Sequence, residues 1–286
     1  MTKSVKDVKG LEHYANIAER ILNNDTGYSK GKKIISDIFE KDIKETPSDT
    51  VIFRLTVIDN YYSTQMKMRL FGIKEIADKI LEISKDDKDL SGRFTKFIRN
   101  IDNSEEKILS LFEDKYGYWK TGKEYGISPS IISKYAYFLT GYRFPIYDNL
   151  VKESYNDIKE KLDKGNELES LSKGQGYDEL YFKNVSRLNK ISGINDFDKL
   201  DMLLWLMGKI NYGSFSLILD KNEYLELVKP IFPNKFEKVG SRDADKKIRD
   251  YIEKKLNKGS LNDIFNDETI EFIEFCFKKR SKNKKK

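Results

Sequence analysis

Apolar residues recur at helical spacing along nearly the whole chain, and this periodicity limits the possible folds more than any other feature. In the first segment they lie three and four residues apart: Leu11, Tyr14, Ile17, Ala18, Ile21 and Leu22. That spacing places them on one face of an amphipathic helix. Only short stretches such as residues 214–219 alternate in the way that is typical of a strand. The sequence therefore predicts an all-α fold.

The same periodicity, together with end signals, predicts individual helices. Residues 47–64 are expected to form a buried central helix, because Pro47 suits a first turn and apolar residues cover most of the circumference. Further helices are predicted over residues 73–84, 91–101, 104–115, 149–162, 177–191 and 197–210. The clearest loop, rich in Gly, Lys, Ser and Glu, is residues 165–176.

Composition bounds the class of protein. A chain of 286 residues with 38% hydrophobic and 35% charged residues can bury a full core, as one domain or two lobes. It has no apolar run long enough to cross a bilayer and no leader-like N-terminus, so a cytoplasmic protein is expected. The single cysteine, Cys276, excludes an internal disulfide and a four-cysteine iron-sulfur cluster.

Positive charge is concentrated at the C-terminus. The net charge is +6, but seven basic residues lie in residues 278–286, so the remainder carries 46 basic and 47 acidic residues. We expect this tail to be disordered, and either to contact nucleic-acid phosphates loosely or to aid solubility. A specific nucleic-acid surface must therefore arise from local arrangement in the folded part.

Residues 126–148, GISPSIISKYAYFLTGYRFPIYD, carry the most functional information. Gly126 and Pro129 predict a turn, and Ser128 is placed to cap the helix that follows. The polar stripe of that helix is Ser130, Lys134 and Tyr137. Gly141 ends the helix, an extended FPIY link follows, and Asp148 stands where the next helix begins. The only histidine, His13, lies elsewhere, which rules out Ser-His-Asp and Cys-His catalysis.

This order of features resembles the helix-hairpin-helix DNA glycosylase superfamily, especially its endonuclease III and adenine glycosylase branches. Aligned without a gap, Gly126 matches the first hairpin glycine, Gly141 the helix-ending glycine and Asp148 the catalytic aspartate. Phe144, Pro145 and Ile146 match the F-P-I of the adenine glycosylases, and Val151 and Lys152 match the residues that follow the aspartate. Ser128 departs from the pattern, since it replaces the second hairpin glycine.

The resemblance implies a role for Asp148 in breaking an N-glycosidic bond. A fixed carboxylate stabilises the positive charge that develops on the sugar. Asp148 is also a favoured N-cap residue type, and the two roles are compatible. Ser130 stands where bifunctional relatives place their imine-forming lysine, and a hydroxyl forms no imine, so lyase activity should be weak. Lys134, one turn further on, is either a substitute nucleophile or a solvated or phosphate-contacting lysine.

Other residues are expected to contact DNA. Gln65 matches the polar residue that fills the gap left by an extruded base, although it also suits an ordinary helix end. Tyr61 and Tyr62 are candidates for stacking on that base or for core packing. The phosphate contacts implied for the hairpin and its surroundings involve Gly126, Ile127, Ser128, Lys123 and Lys152, although most lysines in such a chain are only solvated.

Together, these features predict a two-lobed monomer with DNA crossing the cleft. One lobe spans residues 47–147, the other combines residues 1–46 with 148–277, and residues 278–286 form the tail. The expected activity is that of a monofunctional glycosylase acting on double-stranded DNA with a modified or mismatched base. No metal or organic cofactor is expected, except a monovalent cation at the hairpin carbonyls. The alternative is a non-catalytic nucleic-acid-binding protein. The excised base and a repair or antiviral defence role stay open.

Overall fold

The all-α class is confirmed by a computed structural model, which describes residues 10–24, 27–41, 46–84, 86–101, 106–161, 168–172, 177–233 and 241–277. Within these ranges the chain forms α-helices, short 3-10 turns and three isolated antiparallel bridges. The basic tail, residues 278–286, lies outside the described residues, as does most of the loop predicted over 165–176.

The described residues contain thirteen α-helices. They are α1 (Gly10–Asn23), α2 (Gly27–Phe39), α3 (Pro47–Tyr62), α4 (Gly72–Ile83), α5 (Asp87–Arg99), α6 (Glu106–Glu113), α7 (Pro129–Leu139), α8 (Asn149–Lys161), α9 (Tyr181–Ile191), α10 (Phe197–Tyr212), α11 (Lys221–Val228), α12 (Arg242–Asn257) and α13 (Asp267–Phe277). None of these helices is both long and apolar enough to cross a membrane.

Two boundaries show how local chemistry sets the helix ends. Thr46 caps α3 by accepting a hydrogen bond from the Asp49 N–H, with Pro47 in the first turn as expected. The helix predicted over 91–101 begins earlier, because the Asp86 side chain accepts from the Asp89 N–H and caps α5 there. A capping carboxylate therefore outweighed the apolar pattern in setting this start.

The strand considered for residues 214–219 is wrong, since Phe215–Leu217 is a 3-10 turn. Gly213 ends α10 with a φ of 89°, and a Cβ at this position would lie 2.0 Å from the Asp245 carbonyl oxygen. Only glycine fits so close to α12 at that φ. The chain turns there and buries Phe215 instead of extending.

The helices pack in two groups. Helix α3 contacts α2, α4 and α7, and α6 packs against α4 and α7. Helix α10 is the centre of the second group, where it contacts α1, α8, α12 and α13. It buries residues on nearly every side, among them Leu203, Leu206 and Met207. Helix α2 contacts α1 as well as α3 and α7, and so connects the two groups.

An aromatic cluster fixes the link between α7 and α8. Phe144 is fully buried, and its ring stacks on Phe112 with centroids 5.9 Å apart and an interplanar angle of 2°. Phe94, Phe97 and Phe182 surround the same ring. Burying these side chains stabilises the link, because apolar area removed from water is the dominant favourable term in folding. The link is therefore held at its first residue, four positions before Asp148.

Candidate active site

Asp148 is held in one orientation by its position between the link and α8. The Tyr147 N–H donates to Ser133 Oγ at 2.8 Å, which fixes the preceding residue. Asp148 Oδ1 accepts a hydrogen bond of 2.8 Å from the Leu150 N–H at the start of α8. Its other oxygen, Oδ2, lies 3.8 Å from Lys134 Nζ. One carboxylate thus caps a helix with one oxygen and faces a buried amine with the other.

Lys134 is a buried lysine and not a solvated one, so the solvated interpretation is wrong. The residue is 3% exposed, and its Nζ donates to Ser130 Oγ at 2.7 Å and lies 5.3 Å from the centre of the Tyr62 ring. Burial lowers the pKa of the Lys134 amine, and the charges of Asp148 and Asp201 oppose that shift. A lowered pKa increases the neutral, nucleophilic fraction of the amine.

A second lysine and aspartate lie beside this pair. Lys32 Nζ, from α2, is 2.5 Å from an oxygen of the Asp198 carboxylate on α10. Tyr137 Oη also donates to Asp198, at 2.5 Å. The Tyr142 ring lies 4.4 Å from Lys32 Nζ. This lysine and this aspartate satisfy each other directly, and neither was identified in the sequence.

Asp201 completes the arrangement and was also missed. It is 8% exposed, and burial raises the pKa of its carboxyl to about 8, with the negative charges of Asp148 and Asp198 adding to the shift. Lys134 and Lys32 act in the opposite direction. A sequence signal existed, because Asp201 is the only charged residue within the apolar run of residues 200–207 in α10. We refer to Lys32, Lys134, Tyr137, Asp148, Asp198 and Asp201 as the polar cluster.

The segment after α3 is strained and firmly held. Ser63 and Gln65 have left-handed φ values of 52° and 64°. The buried Asp59 carboxylate accepts from Thr64 Oγ1 at 2.6 Å, from the Met66 N–H at 2.8 Å and from the Lys67 N–H at 3.0 Å. Gln65 itself is exposed. Backbone strain of this kind persists only where surrounding contacts enforce it, as the Asp59 carboxylate does here.

The two tyrosines at the end of α3 point in different directions. Their rings are edge-on, with centroids 4.8 Å apart and an interplanar angle of 80°, so no parallel slot lies between them. Tyr61 lies against Gly31 of α2 and donates to the Gly27 carbonyl oxygen at 3.2 Å. Tyr62 is half-buried and faces Lys134. Tyr62 is therefore the one that borders the polar cluster.

The hairpin at Gly126 is held by an arginine. Arg69 Nη1 donates to the Gly126 carbonyl at 2.8 Å, to the Ile127 carbonyl at 3.4 Å and to Ser128 Oγ. The Arg69 guanidinium also lies 4.0 Å from the centre of the Tyr125 ring. Ser128 is the N-cap residue of α7, but its side chain bonds to Arg69 and makes no capping hydrogen bond. A guanidinium thus stands at the carbonyls where a monovalent cation was expected.

The chain before this hairpin is not helical. Helix α6 ends at Glu113, and antiparallel bridges pair Lys115 with Ile127 and Tyr118 with Glu124. A short ribbon therefore leads into the turn. Lys123 is exposed at the tip of that ribbon, where its carbonyl accepts from the Trp119 N–H at 2.8 Å.

Lys152 does not face solvent, contrary to its expected role at phosphates. It is 2% exposed, with its Nζ 3.5 Å from Ser172 Oγ and 5.7 Å from the centre of the Tyr147 ring. Lys152 lies on the buried face of α8, together with Val151 and Tyr155. Gly126 is exposed and Ile127 is half-buried, so this part of the hairpin is accessible.

Comparisons with known proteins leave the family open. A model of the HI_0787_N family, described as an N-terminal domain, matches residues 11–139. The matched part is less than half of the chain; it ends with α7 and includes Lys32, Lys134 and Tyr137 but none of the three aspartates of the polar cluster. No curated protein and no solved structure matches the chain. In the described residues, no group of histidine, cysteine, aspartate or glutamate side chains has the arrangement of a metal site.

Proposed function

We propose that this protein is a DNA N-glycosylase in which Asp148 stabilises the positively charged sugar as the base departs. The observation that carries this proposal is the divided role of the Asp148 carboxylate. Oδ1 is held by the Leu150 N–H, while Oδ2 lies 3.8 Å from Lys134 Nζ and accepts no closer hydrogen bond within the described residues. A carboxylate fixed before the reaction stabilises developing charge without the cost of reorganisation.

The proposed architecture has two lobes that meet at the polar cluster. Lys134 and Tyr137 come from α7 in the group around α3, whereas Asp198 and Asp201 come from α10 in the other group. Asp148 lies at the crossing from α7 to α8. In this proposal double-stranded DNA lies across that junction in the cytoplasm, with the Gly126 hairpin at a phosphate and exposed Gln65 filling the vacated stack. Repair and antiviral defence use the same chemistry.

A specific observation favours lyase activity as well. Ser130 cannot form an imine, but it accepts a hydrogen bond from Lys134, whose burial lowers its pKa. In the second candidate function, the neutral Lys134 amine attacks C1′ of the sugar while the base leaves with the bonding electrons. Asp148 Oδ2 is the nearest described group that can take the proton from that amine. This candidate replaces the expectation of a strictly monofunctional enzyme only if Lys134 is trapped on DNA.

The test is a cleavage assay on duplexes that carry a panel of modified and mismatched bases. Abasic sites that appear with the wild type and vanish in Asp148→Asn support the glycosylase. Breaks without alkali and borohydride-trapped DNA adducts, both lost in Lys134→Met, support the lyase. The Lys134→Met variant retains most of the buried volume, which limits packing damage.

A different outcome supports the alternative of a non-catalytic binding protein. In that case no duplex yields abasic sites, DNA binding is tight, and Asp148→Asn leaves binding unchanged. Asparagine also caps helices well, so Asp148→Asn should keep α8 intact and report on chemistry alone. Circular dichroism and thermal unfolding of both variants provide the matched control for folding.

A further inference from the structure

The ribbon that leads into the Gly126 hairpin presents an aromatic ring to solvent. Trp119 stands where the tip of the ribbon begins, and it is 40% exposed. The tip is a tight turn, in which the Trp119 N–H donates to the Lys123 carbonyl and the Gly122 N–H donates to the Trp119 carbonyl, both at 2.8 Å. Gly122 has the left-handed φ, 82°, that a three-residue turn of this kind requires. The indole is therefore held in place without being buried.

Trp119 is the outer end of a stack that reaches the hairpin carbonyls. Its ring is stacked on the Tyr125 ring, with centroids 4.2 Å apart and an interplanar angle of 28°. The Arg69 guanidinium lies 4.0 Å from the centre of the same Tyr125 ring. Two groups this close to one ring centre lie on opposite faces of the ring. Arg69 in turn binds the Gly126 and Ile127 carbonyls, so the order outward from the hairpin is Arg69, Tyr125 and Trp119.

The two faces of the ribbon differ in character. The antiparallel bridge between Tyr118 and Glu124 sets the register of the ribbon. Successive residues of a paired strand point to opposite faces, so Trp119, Lys123 and Tyr125 lie on the face away from these two. On the Tyr118 side, a groove is lined by six acidic residues, which are Glu75, Asp78, Glu82, Glu113, Asp114 and Glu124. A polyanion is repelled from that groove.

The tip beside Trp119 is positively charged. Lys120 and Lys123 are both exposed, and neither forms an ion pair with a described residue. Lys115, lower on the ribbon, is instead paired with Glu124. Free ammonium groups next to an accessible aromatic ring are the combination that binds single-stranded nucleic acid, because phosphates and bases are contacted together.

We propose that Trp119 binds unpaired DNA by stacking a base on its open face, while Lys120 and Lys123 contact the neighbouring phosphates. This inference rests on the proposed function and names its substrate class more closely, as DNA with a single-stranded stretch near the excised base. Every nucleobase has a flat face, so this site accepts any base that is unpaired. In an intact duplex both faces of a base are covered by its neighbours. The protein should therefore prefer unpaired DNA to a fully paired duplex.

Strand binding with and without bases tests the stacking directly. Two labelled strands of about ten nucleotides carry the same phosphates, one with thymine bases and one with tetrahydrofuran abasic residues throughout. The wild type should bind the thymine strand about tenfold more tightly than the abasic strand. Trp119→Ala should abolish this preference, and Trp119→Phe should retain part of it, because a smaller ring still stacks. Equal affinity for both strands in the wild type, or binding of neither, overturns the inference.

Tyr118→Ala is the matched control. Tyr118 is the adjacent residue and is 38% exposed, but it lies on the other face of the ribbon. Its hydrogen bonds with Leu70 are made by backbone atoms, so the ribbon should survive the substitution. This variant should keep the wild-type preference for the thymine strand. A preference that falls as far in Tyr118→Ala as in Trp119→Ala would implicate the fold of the ribbon and overturn the inference.

The two lysines are tested by the double variant Lys120→Gln with Lys123→Gln. It should weaken binding of the thymine and abasic strands by the same factor and reduce the salt dependence of both, because their phosphates are alike. A loss confined to the thymine strand would contradict phosphate contacts by these lysines.

Tryptophan fluorescence provides a readout that does not depend on affinity. The chain has two tryptophans, so Trp205→Phe leaves Trp119 as the only one. Saturation with the thymine strand should quench its fluorescence through stacking, whereas saturation with the abasic strand should not. Tight binding of the thymine strand without quenching overturns the inference.

The inference and the proposed function can fail separately. If strand binding depends on Trp119 but no duplex yields abasic sites, the glycosylase proposal fails and the stacking site stands. If abasic sites form through Asp148 while Trp119→Ala binds both strands as the wild type does, the stacking site fails and the glycosylase stands. Tighter binding of an RNA strand than of the DNA strand would assign the site to RNA and overturn the inference.

Discussion

Two lysine–aspartate pairs, each with a buried lysine and a partly exposed aspartate, lie between the helix groups, and they differ in how completely they are closed. Lys32 and Asp198 are 2.5 Å apart, and Tyr137 adds a further hydrogen bond to the same carboxylate. Lys134 Nζ and Asp148 Oδ2 are 3.8 Å apart; Lys134 donates to Ser130 Oγ, and Asp148 Oδ1 accepts from the Leu150 N–H. In the first pair the charged groups bind each other directly. In the second pair a carboxylate oxygen and an amine face each other without a short contact.

This difference suggests different roles for the two pairs. The closed pair holds α2 against α10. Its charged groups already bind each other, so they are not available to bind a substrate. An open pair is less stable by itself, but its groups can bind a reacting sugar without first breaking a short ion pair. In the proposed glycosylase, the closed pair positions the helices and the open pair takes part in the reaction.

The largest effect is expected from Asp148→Asn. Removing one preorganised electrostatic group typically lowers a rate by about 10² to 10³, and the asparagine keeps the helix cap. Single-turnover release of the base should fall by that factor, while the midpoint of thermal unfolding stays close to that of the wild type. A loss of activity matched by a large loss of stability would mean that Asp148 is only a cap.

Next in size is the effect of Lys32→Met on stability. Removing Lys32 leaves the largely buried Asp198 carboxylate with only the Tyr137 hydroxyl as a partner, which is expected to cost up to about 3 kcal/mol. Urea unfolding should report that loss. The double variant Lys32→Met with Asp198→Leu should recover much of it, because both charges are then gone. Equal stability of the single variant and the wild type would show that the pair is not closed in solution.

Lys134→Met should change stability in the opposite direction. Burial lowers the pKa of the Lys134 amine, so the folded state binds fewer protons than the unfolded state between the lowered pKa and the ordinary value of 10.5. Wild-type stability should rise with pH across that window, and the gain from Lys134→Met at lower pH should disappear above it. Urea unfolding from pH 7 to 11 measures this trend. A stability loss at neutral pH would contradict an open pair.

Asp201→Leu is expected to have the smallest effect on stability at low pH, and that effect should grow as the pH rises. The Asp201 pKa is about 8 in the folded state against an ordinary value of 3.8, so the folded state holds a proton that the unfolded state has lost. Ionisation of Asp201 in the unfolded state therefore destabilises the wild type increasingly from about pH 4 to pH 8. The stability advantage of Asp201→Leu should grow over that range and then level off. A constant difference would show that Asp201 ionises normally.

Local features of the candidate site were predictable from the sequence. The turn at Gly126 and Pro129, the helix that follows, and Asp148 at the start of α8 depend on residues close together in the chain. Hydrogen bonds and backbone angles over a few residues decide them. Asp148 can cap α8 and face the candidate site at the same time, because its two carboxylate oxygens have different neighbours.

Charged residues that become buried were not predictable in the same way. Lys152 was expected to contact phosphates or solvent, but it is buried near Tyr147. Lys134 is buried beside Tyr62. Whether a lysine meets water or protein depends on which helices pack against it. Residues after Tyr212 matched no known pattern, yet α12 and α13 pack on α10 as parts of the same core.

The sequence by itself determined the helical class, the turn and helix from Gly126 to Gly141, and the position of Asp148 at a helix start. Periodicity and capping act over a few residues, so the order of residues is enough to read them. Only the tertiary structure decided that Lys134, Asp148 and Asp201 meet, because they lie on three segments separated by up to 67 positions. Helix packing also removed their solvent, and loss of solvent is what shifts the pKa values of Lys134 and Asp201.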